Sequence, residues 1–245
     1  MILELDIGNS RLKWRAIDAD GVCGRGSYSH DEFYTDGLDT LAKMTACKRL
    51  RVASVADSLK PAINGLANAL SLRAEYAESV LQCAGVSNSY VSPAAMGVDR
   101  WLAMLAAFSI HRETSSSDRI CVIDCGTSLT IDYIAGNGQH EGGLILPGRA
   151  LLLDSLQRNT EKVLFDPQSN SGQLELGRST EDAVVNGVLH MMVGAIHESF
   201  GMDEQDSGCL FFLCGGDAQW LLPALRAKVT LVPDLVLDGL ALSLP

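Results

Sequence analysis

One turn is written twice in this chain. Leu3-Glu4-Leu5-Asp6-Ile7-Gly8-Asn9-Ser10 returns 118 positions later as Cys121-Val122-Ile123-Asp124-Cys125-Gly126-Thr127-Ser128, in a sequence of 245 residues. Each copy is an apolar run, then Asp-x-Gly, then a small hydrogen-bonding residue, then a second run of strand character. A single Asp-x-Gly means little, because Asp and Gly are routine turn residues. Two in matching context, one per half, point to a duplicated architecture. At roughly 100–200 residues per domain the length alone allows one large domain or two small ones. The repeat favours two.

Strand and helix patterns alternate around the two turns. Leu12 to Ile17 alternates like a strand returning from the first turn, and Asp18 to Gly26 reads as a polar, glycine-containing connection. Helical patterns over Asp31 to Ala46 and Leu59 to Leu72 bracket a strand at Leu50 to Ala56. Asn88 to Met96 is a loop containing Pro93, followed by a helix with Trp101, Leu102, Leu105 and Ala106 on one side. The polar stretch Thr114 to Asp118 is the expected boundary, giving domains over 1–115 and 116–245. Beyond it, Ile120 to Ile123 and Cys209 to Cys214 read as strands buried on both faces, and Asn137-Gly138 as a hairpin turn. Asp154 to Gly177 is polar and partly irregular, and Thr180 to Phe200 is a long helix. This is the pattern of an α/β protein.

Nineteen Lys and Arg against thirty Asp and Glu leave a net charge of −11. Nucleic acid is therefore not an expected partner, because phosphate-backbone binders need a clustered basic face. No apolar stretch is long enough to span a bilayer, and the opening Met1 to Asp6 lacks the features of a signal peptide, so no membrane association is expected. The seven cysteines are odd in number and scattered, with no C-x-x-C pair, and read as reduced thiols of a cytoplasmic protein.

The chain has no P-loop, no G-x-G-x-x-G, no G-x-S-x-G elbow and no H-E-x-x-H. What it offers is two strand-turn-strand loops with glycine at the tip. Glycine lets backbone N–H groups approach a phosphate closely, and Asn9, Ser10, Thr127 and Ser128 add side-chain donors. Asp6 and Asp124 repel phosphate but suit a cation that binds it. A hydroxyl that attacks a phosphoryl group also needs a base, and Asp99 in Gly97-Val98-Asp99-Arg100 is the candidate, with Arg100 beside it for an anionic group. The plainer reading of Asp99 is a helix N-terminal residue held by exposed N–H groups.

In combination these motifs resemble the type III pantothenate kinases, bacterial enzymes of the acetate and sugar kinase/Hsp70/actin superfamily that open coenzyme A synthesis. The resemblance rests on Asp6-Ile7-Gly8-Asn9-Ser10 (D-x-G-N-T/S), Tyr90-x-x-Pro93 with Gly97-Val98-Asp99-Arg100 (Y-x-x-P, G-x-D-R) and Asp124-Cys125-Gly126-Thr127 (D-x-G-T). It continues through Gly142 to Gly148 (G-G-x-I-x-P-G), Arg178-Ser179-Thr180, Gly215-Gly216-Asp217-Ala218 and the closing Pro233 to Leu240. Ser10 stands where threonine is usual and keeps the hydroxyl, and Ser128 replaces an alanine.

The resemblance implies two ribonuclease-H-like (actin-like ATPase) domains of duplicated topology with a cleft between them. It implies that Asp6, Ile7, Gly8, Asn9, Ser10, Arg11, Leu12 and Lys13 cradle the ATP phosphates, with Thr127 contributing from the second turn. Asp99 would be the general base for pantothenate, and Tyr90, Gly97, Val98, Arg100 and Thr180 would line its pocket, Thr180 from the other protomer of a homodimer. Asp124 would hold a monovalent cation, potassium or ammonium, and Asp6 would support Mg2+ with ATP through water. Gly215 and Gly216 would let the adenosine half approach. Two other readings remain open at this point. The same family includes proteins first described as accessory transcription factors, so a non-catalytic ATP- or pantothenate-binding regulator is one. A superfamily kinase for a sugar or short carboxylate is the other.

Overall fold

Leu3, Leu5 and Ile7 alternate with Glu4 and Asp6, so the opening run is a strand with two unlike faces, β1 (Ile2–Ile7). The computed structural model describes residues 1–113, 118–166, 172–199, 208–226 and 228–245. They form two compact units, Met1–Ile110 with Asp234–Pro245, and His111–Pro233. In the first unit β1 is the central strand of a five-stranded sheet of order β3-β2-β1-β4-β5, with β2 Arg11–Asp18, β3 Gly21–Ser29, β4 Arg49–Ser54 and β5 Ala74–Tyr76. β2 runs antiparallel to β1 and β3 antiparallel to β2, while β4 and β5 run parallel to β1. Leu3, Leu5, Ile7, Leu12, Leu50 and Val52 face a core closed by two helical stretches. One is α1 (His30–Glu32) continuing through a wide turn into α2 (Leu38–Ala42), and the other is α3 (Lys60–Ala69).

The opposite face of this sheet is charged. Glu4 is fully buried there, accepting from Arg15 at 2.9 and 2.7 Å and from Arg51 at 3.0 Å. The ladder explains the meeting: Glu4 is the direct partner of Arg15 in β2 and of Arg51 in β4. After a small hairpin, β6 (Gln82–Cys83) and β7 (Val86–Ser87), and a turn at Pro93–Ala95, the chain enters α4 (Val98–Glu113). The pattern of one apolar side understated this helix. Ala103, Met104 and Ala107 are as buried as Trp101 and Leu105, so it is covered nearly all round.

The second unit repeats the first. Its sheet has the order β10-β9-β8-β11-β12, with β8 Arg119–Cys125, β9 Ser128–Ile134, β10 His140–Pro147, β11 Cys209–Cys214 and β12 Val229–Leu231. Directions match strand for strand: successive antiparallel pairs β8–β9 and β9–β10 on one side of β8, and the parallel strands β11 and β12 on the other. Cys121, Ile123 and Cys125 take the places of Leu3, Leu5 and Ile7 and pack against α5 (Arg149–Asn159) and α6 (Thr180–Ser199). Val184, Val188 and Met192 of α6 belong to this core, while Met191 on the same helix is exposed. A short helix α7 (Ala218–Leu221) follows β11.

The last helix, α8 (Leu235–Ser243), packs on β1 and β4 of the first unit. Asp238 pairs with Arg15, and Asp234 with Arg25 at 3.1 Å. Gly239 meets α4 where a Cβ would lie 1.9 Å from the Leu102 carbonyl oxygen, so only glycine permits the crossing.

The structure refines the sequence expectations. Asp18 to Gly26 is mostly β3, whose Gly24 and Gly26 lie under the Trp14 ring. The helical reading over Asp31 to Ala46 holds through Ala42, with a π-helical stretch at Phe33–Gly37 inside it, and the irregular stretch begins only after Asn159. The expected boundary falls on 114–117, outside the described residues, as do Phe200 and 167–171 of the polar stretch. The division by domains at 115/116 did not anticipate that 234–245 joins the first unit. No described helix is long and apolar enough to cross a membrane.

Candidate active site

The first turn, Gly8-Asn9-Ser10, is closed by the Gly8 N–H donating to the Arg11 carbonyl at 3.0 Å. Ile7 and Leu12 flank it with side chains buried in the core, so only their backbone is available to a ligand. Asn9, Ser10 and Arg11 are exposed, and the Arg11 guanidinium rests 3.1 Å from Ser27 Oγ. Lys13 is the direct ladder partner of Asp6. His30, the first residue of α1, places Nε2 3.0 Å from the Gly8 carbonyl oxygen. A carbonyl only accepts, so this nitrogen carries the hydrogen and fixes the Gly8 peptide. Nothing in the sequence signals this contact across 22 positions.

The third motif is gathered in the same unit. Asp99 lies in the first turn of α4, and its Oδ1 accepts from the Arg100 N–H at 2.8 Å. A helix start is favourable for a carboxylate, since unpaired N–H groups and the dipole both face it. This agrees with the plain structural reading. Gly97 sits against the carboxylate, its Cβ position 2.6 Å from Oδ1. Arg100 is buried and donates from Nη1 to the Tyr90 hydroxyl at 2.9 Å, its guanidinium 5.8 Å from the ring centre. Tyr90, Gly97, Val98, Asp99 and Arg100 are thus one cluster.

In the second unit the turn after β8 is one residue tighter than its echo. Gly126 N–H donates to Ser128 O at 3.0 Å, two positions on, where Gly8 reaches three positions on. Ser128 therefore begins β9 instead of standing in the turn. Two neighbouring segments close on it: Gly148 N–H donates to Thr127 O at 3.0 Å and Asp217 N–H to Cys125 O at 2.9 Å. Gly215, at φ +97°, passes so near that a Cβ would stand 2.3 Å from Cys125 O and 2.5 Å from Asp124 Oδ1. Burial pushes the Asp217 carboxyl up, while Arg149, 3.7 Å away, draws it back. Arg149 itself lies 4.4 Å over the Trp220 ring. The Arg149–Asp217 contact has no sequence signal, as its residues stand far apart in the sequence.

Thr180 is exposed at the start of α6. Ser179 caps that helix, accepting from the Asp182 N–H at 3.0 Å. Beside it lies a cavity of about 770 Å³ lined by Gln173, Arg178, Asp182 and Asn186 among others.

Among the described residues no three or more His, Cys, Asp or Glu converge as a metal cage. Asp6 and Asp124 each stand near the end of a central strand, as hard oxygen donors. Such donors fit magnesium or a monovalent cation that completes its shell with phosphate oxygens and water.

A family model for Type III pantothenate kinase matches residues 2–201. The chain belongs to the type III pantothenate kinase family. Family members of that name from Ectopseudomonas mendocina and Pseudomonas paraeruginosa are 35% and 36% identical to it, and each match covers 100% of this chain and 99% of the relative. Solved structures extend the likeness to the fold. A Campylobacter jejuni protein described as a Baf family transcriptional activator superposes with a TM-score of 0.60 at 22% identity, covering 98% of this chain and 95% of that one. A Sinorhizobium meliloti protein described as a 2-dehydro-3-deoxygalactonokinase gives 0.55 at 17%, covering 100% and 96%. The type III pantothenate kinase fold here is accordingly the duplicated ribonuclease-H-like, actin-like ATPase architecture.

Proposed function

We propose that the chain transfers the γ-phosphoryl group of ATP to pantothenate, giving 4′-phosphopantothenate and ADP, the first step of coenzyme A biosynthesis. Family membership over the full length supports the reaction. The observation that carries the site is Asp99, held at a helix start beside the Arg100–Tyr90 pair. The primary hydroxyl of pantothenate points at the γ-phosphorus, and Asp99 takes its proton as the new O–P bond forms. The bond from phosphorus to the β–γ bridging oxygen breaks, and ADP leaves. A loose transition state of this kind needs positioning and charge stabilisation above all.

Asp6 to Lys13 cradles the phosphates through turn N–H groups and the exposed Asn9 and Ser10, and Thr127 contributes from the second turn. ATP brings a divalent metal such as magnesium, which neutralises charge gathering on the phosphoryl oxygens. Asp6 would hold it through water, and Asp124 would hold potassium or ammonium. Arg100 and Tyr90 receive the anionic substrate with Gly97 and Val98. Thr180 completes the pocket of a second protomer in a homodimer, which suits its exposure. All seven cysteines are free, as a reducing cytoplasm would keep them.

Two measurements test this. Asp99→Asn should keep the thermal unfolding midpoint and lose pantothenate-dependent ADP release by at least about a hundredfold; near-normal turnover would remove Asp99 from the mechanism. Replacing potassium by sodium at constant ionic strength should abolish most activity, and equal rates would remove the role given to Asp124. ATP consumption that pantothenate does not stimulate would favour the non-catalytic, ligand-binding reading.

A further inference from the structure

Tyr90 is carried on a surface loop. Ser89, Val91 and Ser92 are exposed, Val91 completely, and none belongs to a strand or helix. At its start stands Asn88, whose side chain is buried. An amide in such a place must satisfy both its oxygen and its nitrogen or cost stability. Asn88 Oδ1 accepts from the Tyr90 N–H at 3.0 Å, the two-residue reach of an Asx turn. Nδ2 donates to the Val80 carbonyl at 3.4 Å and lies 3.5 Å from that of Pro93, while the Asn88 N–H donates to Leu81 O at 2.9 Å. One side chain therefore pins the loop at Tyr90, at its far end and to the segment before β6.

Tyr90 is then held at its backbone by Asn88 and at its hydroxyl by Arg100. We propose that Asn88 is a positioning residue for the acceptor substrate: by fixing the Tyr90 backbone it sets where the Tyr90–Arg100 pair stands beside Asp99. The inference rests on the reading that this pair receives pantothenate. Asn88 need not touch the substrate. Its loss would let the loop sample several conformations, of which a fraction binds, and apparent affinity falls by that fraction.

The test is steady-state kinetics with each substrate varied, on the wild type, Asn88→Ala, Asn88→Leu, Asn88→Asp, Tyr90→Phe and the Asn88→Ala/Tyr90→Phe double variant. Asn88→Ala should raise the pantothenate KM about tenfold, leaving the ATP KM and kcat within about twofold. A general loss of folded protein would lower kcat and leave both KM values alone. Asn88→Asp keeps the acceptor for Tyr90 and loses the two donors, so its pantothenate KM should fall between wild type and alanine. Asn88→Leu, of similar size and without the acceptor for Tyr90, carries the test if the alanine variant does not fold, a pantothenate KM equal to wild type then overturning the proposal. The double variant should be little worse than the worse single one, because both act through Tyr90. Strict multiplication of the two effects, or a raised KM in Tyr90→Phe with none in Asn88→Ala, overturns the proposal alone. No change in Tyr90→Phe refutes the placement of pantothenate at Tyr90, and the role of Asn88 falls with it.

Discussion

Cys125 closes β8 just before the second turn, near the carboxylates of Asp124 and Asp217, and its environment makes it inert. Its side chain has no exposure, and burial foremost pushes the thiol well above its ordinary range, with Asp124 and Asp217 adding to the effect. The thiolate is the reactive form. Iodoacetamide at neutral pH should therefore label the exposed Cys23 in the native protein and leave Cys125 intact until the chain is unfolded, as peptide mass spectrometry would report. Rapid native labelling of Cys125 would show that the turn opens. At this scale the sequence was informative wherever a residue works through its own neighbours. Asp99 could be read as a helix-start carboxylate because its contact is with Arg100, one position away. The Asx reach from Asn88 to Tyr90 was equally local and went unread. His30 on Gly8 was beyond reach, because the fold alone brings them together.

Between elements, the ion cluster of the first sheet is the feature most exposed to mutation. Glu4→Gln removes the charge that neutralises two buried guanidinium groups, Arg15 and Arg51. Breaking a buried pair from one side costs about 3–5 kcal/mol. Urea unfolding should show a loss of that order, and a change under about 1 kcal/mol would mean that water enters the cluster. The second sheet solves the same position differently: the ladder pair Glu4–Arg15 becomes Val122–Asp132, and Asp132 meets the buried His140 at 3.2 Å. This divergence explains why the echo was visible in the turns and faint in the strands. The strand β3 was misread for a related reason. Its glycines give no apolar alternation, and it is the Trp14 ring of β2 that covers them. On α6, Val184, Val188 and Met192 lie in the core of the second unit, while Met191 is exposed.

For the molecule as a whole, the repeated turn correctly announced two sheets of like order and direction. It was silent on the route of the chain, because α8 belongs to no repeated motif. That helix gives the first unit five buried positions (Leu235, Val236, Leu237, Gly239 and Leu240) and the partner of Arg15. A chain ending at Pro233 should therefore be weakened in the first unit, although the deletion lies at the far end of the sequence. Hydrogen exchange should accelerate in β1 and β4 of the shortened protein and change little in β8 and β11. Equal acceleration in both sheets would show that the units unfold as one.

The return of α8 also orders events in time. A ribosome releases residues 234–245 only after every strand of the second unit has emerged. The sheet that is synthesised first is thus the one completed last, with Glu4, Arg15 and Arg51 waiting through translation for Asp238 and the apolar cover that comes with it. The inserted unit has its whole sequence by Pro233 and is free to fold ahead of it.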